Sequence, residues 1–147
     1  MIQRIQTVHL LISEILLGFL FVLPFADIAT NEKVYEFSIK GISYSGDLIE
    51  SGMSLAALLG ILLILHVFAI LSYKKRIRQI RVIVFSILLL VGLFGMFFFF
   101  TYYTFNEAKI SFKISVAFPL VAIILDYLAI RNIGKDEALI RSLDRIR

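Results

Sequence analysis

Long apolar stretches alternate with short polar ones along almost the whole chain. Crossing about 30 Å of hydrocarbon at 1.5 Å per residue takes roughly 20 apolar residues in a helix. Four stretches approach that length, at about residues 5–25, 53–73, 82–103 and 114–130. The pattern therefore predicts four transmembrane helices in one membrane domain covering residues 1–147, with loops at 26–52 and 104–113 and a tail at 131–147.

Composition supports a location in the bilayer. The 147 residues are 60% apolar and only 18% charged, and the mean hydropathy is +0.93, whereas soluble domains are about 45 to 50% apolar. The chain contains no cysteine, which excludes disulfides, thiol redox chemistry and thiolate metal sites. The basic net charge of +4 is explained by orientation in the membrane, so no nucleic-acid partner is expected.

Lysine and arginine are distributed unevenly over the two sides of this layout. Eleven of the fifteen lie near the N-terminus, in the linker at 74–81 or in the tail, and the other four lie in the two remaining loops. Because basic residues collect on the cytoplasmic side, both termini and the linker are predicted to be cytoplasmic. The predicted location is the inner membrane of a bacterium, with several crossings.

The first outer loop alternates apolar and polar residues. Residues 34–39 and 42–45 flank Lys40 and Gly41, which predicts a short hairpin with Tyr35, Phe37 and Ile39 on one face. Residues 109–113 also alternate, so the second outer loop either adds a third strand or simply begins the last helix. The predicted fold class is an all-α, antiparallel four-helix transmembrane bundle, with a short extracytoplasmic β-hairpin and a cytoplasmic amphipathic C-terminal helix.

The tail has a helical pattern of apolar and basic residues. An amphipathic helix there would lie on anionic lipid or on a partner protein. The alternative is a solvated extension of the fourth span. The candidate tail residues for binding a partner or lipid are Lys135, Leu139, Arg141, Leu143, Arg145 and Arg147.

Four ionisable side chains fall within the predicted spans, where polarity is costly. Glu14 lies near mid-bilayer, and its insertion costs about 2.5 to 3.5 kcal/mol, so its carboxyl is expected to face other helices and be paired or protonated. Counting depth from the cytoplasmic ends places His9, His66 and Asp126 in the same half of the membrane. The cluster is either a proton-relay or cation site, or a set of interhelical hydrogen bonds that fixes helix order, which we favour.

The two ends of the chain resemble a known family. The opening "MIQRIQTVHLLI" and the ending "LDYLAIRNIGKDEALIRSLDRIR" are similar to small four-span membrane proteins of Bacteroidota, grouped as domain of unknown function 4293. The resemblance implies an inner-membrane protein with both termini inside, and it implies no activity. It also directs attention to Gln6, Asp136 and Glu137, which would meet on one membrane face.

No phosphate-binding loop, zinc-binding motif or nucleophile elbow occurs in the sequence. We therefore expect a protein that is not an enzyme, with no cofactor and no metal, whose partners are the lipid bilayer and other membrane proteins. The leading hypothesis is an accessory or scaffold subunit of a membrane complex. The alternative is a small proton-coupled transporter or lipid-interacting protein that uses Glu14, His66 and Asp126.

Overall fold

The computed structural model describes residues 3–30, 33–104 and 108–144. Four α-helices and five β-strands alternate in blocks along this part of the chain. The helices are α1 (Gln3–Phe19), α2 (Met53–Leu71), α3 (Arg76–Thr104) and α4 (Phe118–Asp144), the last preceded by a 3-10 turn (Ile114–Ala117). The strands are β1 (Ala26–Ala29), β2 (Val34–Ser38), β3 (Gly41–Tyr44), β4 (Asp47–Ser51) and β5 (Lys109–Phe112).

Three helices are long and apolar enough to cross a membrane. Within the described residues these segments are Met53–Leu71, Arg76–Tyr102 and Ile114–Leu139. The helix that covers most of the first predicted span, α1, has only 17 residues. The structure therefore supports the membrane character of the chain and three of its four predicted spans, and the first predicted span stays a prediction.

The first helix ends early because the apolar residues that follow it belong to a different core. The chain tightens after Phe19 through i to i+3 hydrogen bonds at Leu20, Phe21 and Val22, each 3.1 Å. Beyond Pro24, Phe25 is fully buried within the sheet-side core. Residues 20–25 are thus apolar without being helical, which composition alone does not distinguish from a span.

The five strands form one antiparallel sheet in the order β4-β3-β2-β1-β5. The predicted hairpin is confirmed as β2 and β3, with Phe37 and Ile39 buried, and the strand interpretation of residues 109–113 is confirmed as β5. Strands β1 and β4 were not predicted. An all-α bundle is therefore wrong, because residues 26–51 fold into a sheet that also recruits β5 across 80 residues of sequence.

The sheet and the basic linker lie at opposite ends of the helices. At one end the Ser115 hydroxyl donates to the carbonyl of Pro24, next to the sheet. At the other, the Gln6 amide donates to Asp136 Oδ2 at 2.6 Å, which is one of the contacts predicted between the N-terminal segment and the tail. Both ends of the described chain therefore lie at the end of the molecule away from the sheet.

The C-terminal tail is not a separate helix. Helix α4 continues without a break from Phe118 to Asp144, as the alternative interpretation predicted, so the separate amphipathic helix is wrong. Ile133 and Asp136 are buried, whereas Leu139 is 58% exposed. The buried face of the continuous helix thus contains Ile133 and Asp136, and Leu139 lies on its exposed face.

A cluster of phenylalanines fastens the sheet to the helices. The ring of Phe97 on α3 lies 4.4 Å from that of Phe25, and Phe25 lies 5.3 Å from Phe37 on β2. The ring of Phe37 also stacks on Phe100 at 6.0 Å. All four side chains are 9% exposed or less, so the aromatic core joins the two parts of the fold into one body.

The corner between the sheet and α2 requires two glycines. Gly41 begins β3 with φ +120, a conformation that L side chains avoid. A Cβ on Gly52 would lie 2.4 Å from the carbonyl oxygen of Ile39 and 2.5 Å from the nitrogen of Gly41. The Gly52 amide donates to the Lys40 carbonyl at 2.8 Å, so two backbone segments touch where the chain turns into the helix.

Replacing Gly52 with alanine is expected to destabilise this corner by about 1–3 kcal/mol, the usual cost of forcing atoms into a filled space. The methyl group would meet backbone atoms, which cannot move aside as a flexible side chain can. Unfolding of the detergent-solubilised protein in increasing SDS, followed by circular dichroism, measures the change. Gly60→Ala on α2, where a Cβ meets nothing within 4 Å, is the control and should be neutral or stabilising; equal effects of the two variants would contradict the close approach.

Candidate functional site

Three helices meet at a buried polar cluster, which we call the Ser13–His66–Asp126 cluster. His66 of α2 is 1% exposed, and Ser13 of α1 and Asp126 of α4 are both fully buried. The His66 Nε2 atom lies 3.0 Å and 3.2 Å from the two Asp126 carboxyl oxygens. The Ser13 hydroxyl lies 3.3 Å from the same nitrogen, so a single histidine links three helices.

The hydrogen-bond geometry determines how many protons His66 and Asp126 hold between them. His66 Nδ1 lies 2.9 Å from the carbonyl oxygen of Leu62, which can only accept, so Nδ1 carries a hydrogen. The contact between Nε2 and the carboxyl then needs one further hydrogen. It is held either by Nε2, giving an ion pair, or by Asp126, giving a neutral pair. The net charge of the pair is zero in both arrangements.

One of the predicted cluster residues, Glu14, stands beside this arrangement. Glu14 follows Ser13 on α1 and interacts electrostatically with both His66 and Asp126. Its Oε2 atom is buried without a hydrogen-bond partner among the described residues, and so is Nδ1 of His9. The structure therefore brings His66 and Asp126 into direct contact and Glu14 close to them, and it adds Ser13 from α1.

These residues hold no recognisable metal site. Within the described ranges, no three histidine, aspartate or glutamate side chains are grouped so that they could ligate a metal ion. Interhelical hydrogen bonding and proton sharing are the chemistry that the cluster's own atoms support.

The tail residues proposed for binding partners or lipid are only partly visible. Lys135 and Leu139 are exposed on α4. Arg145 and Arg147 lie outside the described residues, as do the side chains of Arg141 and Leu143. What the structure does show on this face is Glu137, whose carboxylate lies 4.0 Å from Nη1 of Arg76 on α3.

A basic pocket at the α2–α3 turn was missed by the sequence reasoning, which used its charges only to assign orientation. The pocket encloses about 630 Å³. Its lining consists of five basic side chains, one isoleucine and one carboxylate, namely Lys74, Lys75, Arg76, Ile77, Arg78, Arg81 and Glu137. The clustering of these charges at the junction of two spans was the signal available in the sequence.

At the opposite end, an ion triad crosses the sheet surface. Lys113 Nζ lies 2.7 Å from Asp27 on β1 and 3.6 Å from Glu36 on β2. The hydrogen bond to Asp27 raises the pKa of Lys113 above its usual value. Lys113 therefore stays charged, and keeps this contact, up to a pH above the pKa of an ordinary lysine side chain. The partly exposed triad helps to fix the register of β5 on β1 and supplies no reactive group.

Comparison with known proteins places the chain in a family without assigning it a chemistry. The family model described as Domain of unknown function (DUF4293) matches residues 2–146, so the chain belongs to that family. No curated protein matches the sequence.

Proposed function

We propose that this member of the DUF4293 family is a non-enzymatic protein of a bacterial inner membrane that serves as an accessory or scaffold subunit of a membrane complex. The observation that carries the proposal is the unshielded edge of its sheet. Strand β4 is at one end of the strand order, and Leu48 and Ile49 on it are each 56% exposed.

Successive residues of a strand point to opposite faces of a sheet, so exposure of both Leu48 and Ile49 means that neither face of β4 is covered by the described residues. A strand edge that pairs with no other described strand is a template for the backbone of another chain, and β4 adds the two exposed apolar side chains of Leu48 and Ile49. The aromatic core at Phe25, Phe37 and Phe97 holds this edge in a fixed position relative to the helices. A rigidly held β4 edge suits a subunit that binds a neighbouring protein by pairing with one of its strands.

The orientation we propose puts the sheet outside and both chain ends in the cytoplasm. The basic residues at 74–81 lie at the same end of the helices as Gln6 and Asp136, and this end carries most of the lysine and arginine of the chain. The resemblance to Bacteroidota proteins further suggests a Gram-negative host, with the sheet in the periplasm.

Purification in a mild detergent followed by mass spectrometry tests the scaffold role. A reproducible companion protein is expected with the unaltered chain, and Ile49→Lys should remove it, because a charge at the edge opposes strand addition. Val34→Lys is the control, since Val34 is 61% exposed on an interior strand. Recovery of the unaltered protein only as an isolated monomer would contradict the proposal.

A second candidate function, proton-coupled transport, is favoured by one specific observation. The buried Glu14 Oε2 atom has no partner in the described residues and lies beside a histidine and an aspartate that share one proton. Such an arrangement of intramembrane acids and histidine resembles the proton relays of pumps and transporters.

Glu14→Gln separates the two candidates, since the amide keeps the shape of the side chain and cannot release a proton. The scaffold role predicts unchanged growth of the host and unchanged recovery of the companion protein. Transport predicts loss of function with normal membrane insertion, which Western blotting of the membrane fraction verifies.

A further inference from the structure

The basic pocket at the α2–α3 turn combines excess positive charge with position at the ends of two candidate spans. Five basic side chains line it and only Glu137 opposes them. That carboxylate lies 4.0 Å from Nη1 of Arg76, and a single carboxylate balances only one of five positive charges. The pocket therefore keeps cationic groups available to an anion.

One arginine of the pocket, Arg78, is held by neighbouring side chains. Arg78 donates to the hydroxyl of the buried Ser72 at 3.3 Å, and its guanidinium lies 5.3 Å from the centre of the Phe68 ring. Nη1 of Arg76 is buried without a hydrogen-bond partner among the described residues. A guanidinium whose position is already fixed loses less entropy on binding, and its planar fork matches the oxygens of a phosphate.

Apolar groups adjoin the pocket on the surface of the helices. Ile77, which lines the pocket, is 48% exposed, and Phe68 beneath Arg78 is 44% exposed. Helix α2 ends at Leu71 and α3 begins at Arg76, so the pocket lies at the depth of lipid head groups when these helices span the bilayer. A ligand that fits has a phosphate for the arginines and an acyl chain for the exposed apolar side chains.

We propose that the α2–α3 turn binds the phosphodiester head group of an anionic phospholipid, with Arg76 and Arg78 contacting the phosphate. Basic pockets between helices on the cytoplasmic side are suited to such lipids. The site depends only on insertion of α2 and α3 in the membrane, and it is independent of the scaffold role.

The test uses the full chain, purified and delipidated in a neutral detergent. Binding of phosphatidylglycerol is measured by native mass spectrometry, with phosphatidylcholine as the zwitterionic comparison. The unaltered protein should prefer phosphatidylglycerol. Arg76→Gln together with Arg78→Gln should weaken that binding about thirtyfold, since each basic side chain near an anionic lipid contributes roughly a factor of five. Arg131→Gln, an exposed arginine of α4 outside the pocket, should have little effect.

Three results would overturn the proposal. They are unchanged phosphatidylglycerol binding in the double variant, an equal loss with Arg131→Gln, and full competition by millimolar inorganic phosphate, which would make a free phosphate the ligand. Size-exclusion chromatography in neutral detergent checks that the double variant folds. If it does not, Arg76→Lys with Arg78→Lys decides: it keeps the charges but not the planar forks, so a several-fold loss supports the assignment and no loss contradicts it.

Discussion

Replacing His66 with leucine is expected to lower the free energy of unfolding by about 3–5 kcal/mol, because it leaves the carboxyl of Asp126 buried with a broken pair. Asp126→Leu should cost less, since a neutral His66 can still donate to the Leu62 carbonyl and accept from Ser13. The order of the two single variants therefore follows from the hydrogen-bond geometry.

The double variant His66→Leu, Asp126→Leu should recover most of the loss. Apolar residues of similar volume often replace a buried pair at little cost, and the double-mutant cycle isolates the coupling. SDS titration of the protein in detergent, monitored by circular dichroism, supplies all four free energies. His9→Leu on α1 is the matched control and should be neutral or stabilising, because it removes a buried nitrogen without a described partner. Additive losses in the cycle would show that His66 and Asp126 do not interact.

Truncation of Phe97 to alanine should be the most damaging single change in the aromatic core, at about 3–5 kcal/mol. Phe97 is fully buried and touches both Phe25 and Phe37, so its removal opens a cavity between α3 and the sheet. We expect faster hydrogen exchange of the strand amides as well as lower resistance to SDS.

Phe99→Ala is the comparison for Phe97, because it removes the same atoms two residues away. Phe99 is 59% exposed, and substitutions away from the core usually change stability by no more than about 0.5 kcal/mol. Similar losses in the two variants would mean that the sheet is not fastened to the helices through Phe97.

The elements that could be predicted from the sequence are those whose own residues carry a periodic pattern. The run at 53–73 predicted α2 to within two residues, the run at 82–103 predicted α3 apart from its first six residues, and the alternation around Lys40 predicted β2 and β3. Strand β4 has adjacent apolar residues at Leu48 and Ile49, so it lacks the alternation of a half-buried strand. Strand β1 directly follows the apolar residues of the first predicted span, and its pairing with β2 and β5 is set by tertiary contacts.

Apolar content also led to a wrong span boundary where apolar residues pack in the core beside the sheet and do not belong to a membrane-spanning helix. Phe25 extended the first predicted span, yet its ring packs on Phe37 and Phe97. The depth of the polar cluster could be counted along each predicted span, which is why the sequence placed His66 and Asp126 at one level. Their direct contact depends on how α2 and α4 are rotated, and depth does not determine rotation. The basic pocket likewise depends on where the side chains of the α2–α3 turn point.

The proposed orientation puts the sheet and the α2–α3 turn on opposite sides of the membrane, with the turn inside. The cysteine-free sequence allows a direct test with two single variants, Lys40→Cys at the β2–β3 turn and Lys75→Cys at the α2–α3 turn, both at exposed positions. In intact cells, a membrane-impermeant maleimide should label the Lys40→Cys protein and leave the Lys75→Cys protein unlabelled until the membrane is opened. Labelling of Lys75→Cys, but not of Lys40→Cys, in intact cells would contradict the orientation, and labelling of both would contradict the separation of the two ends.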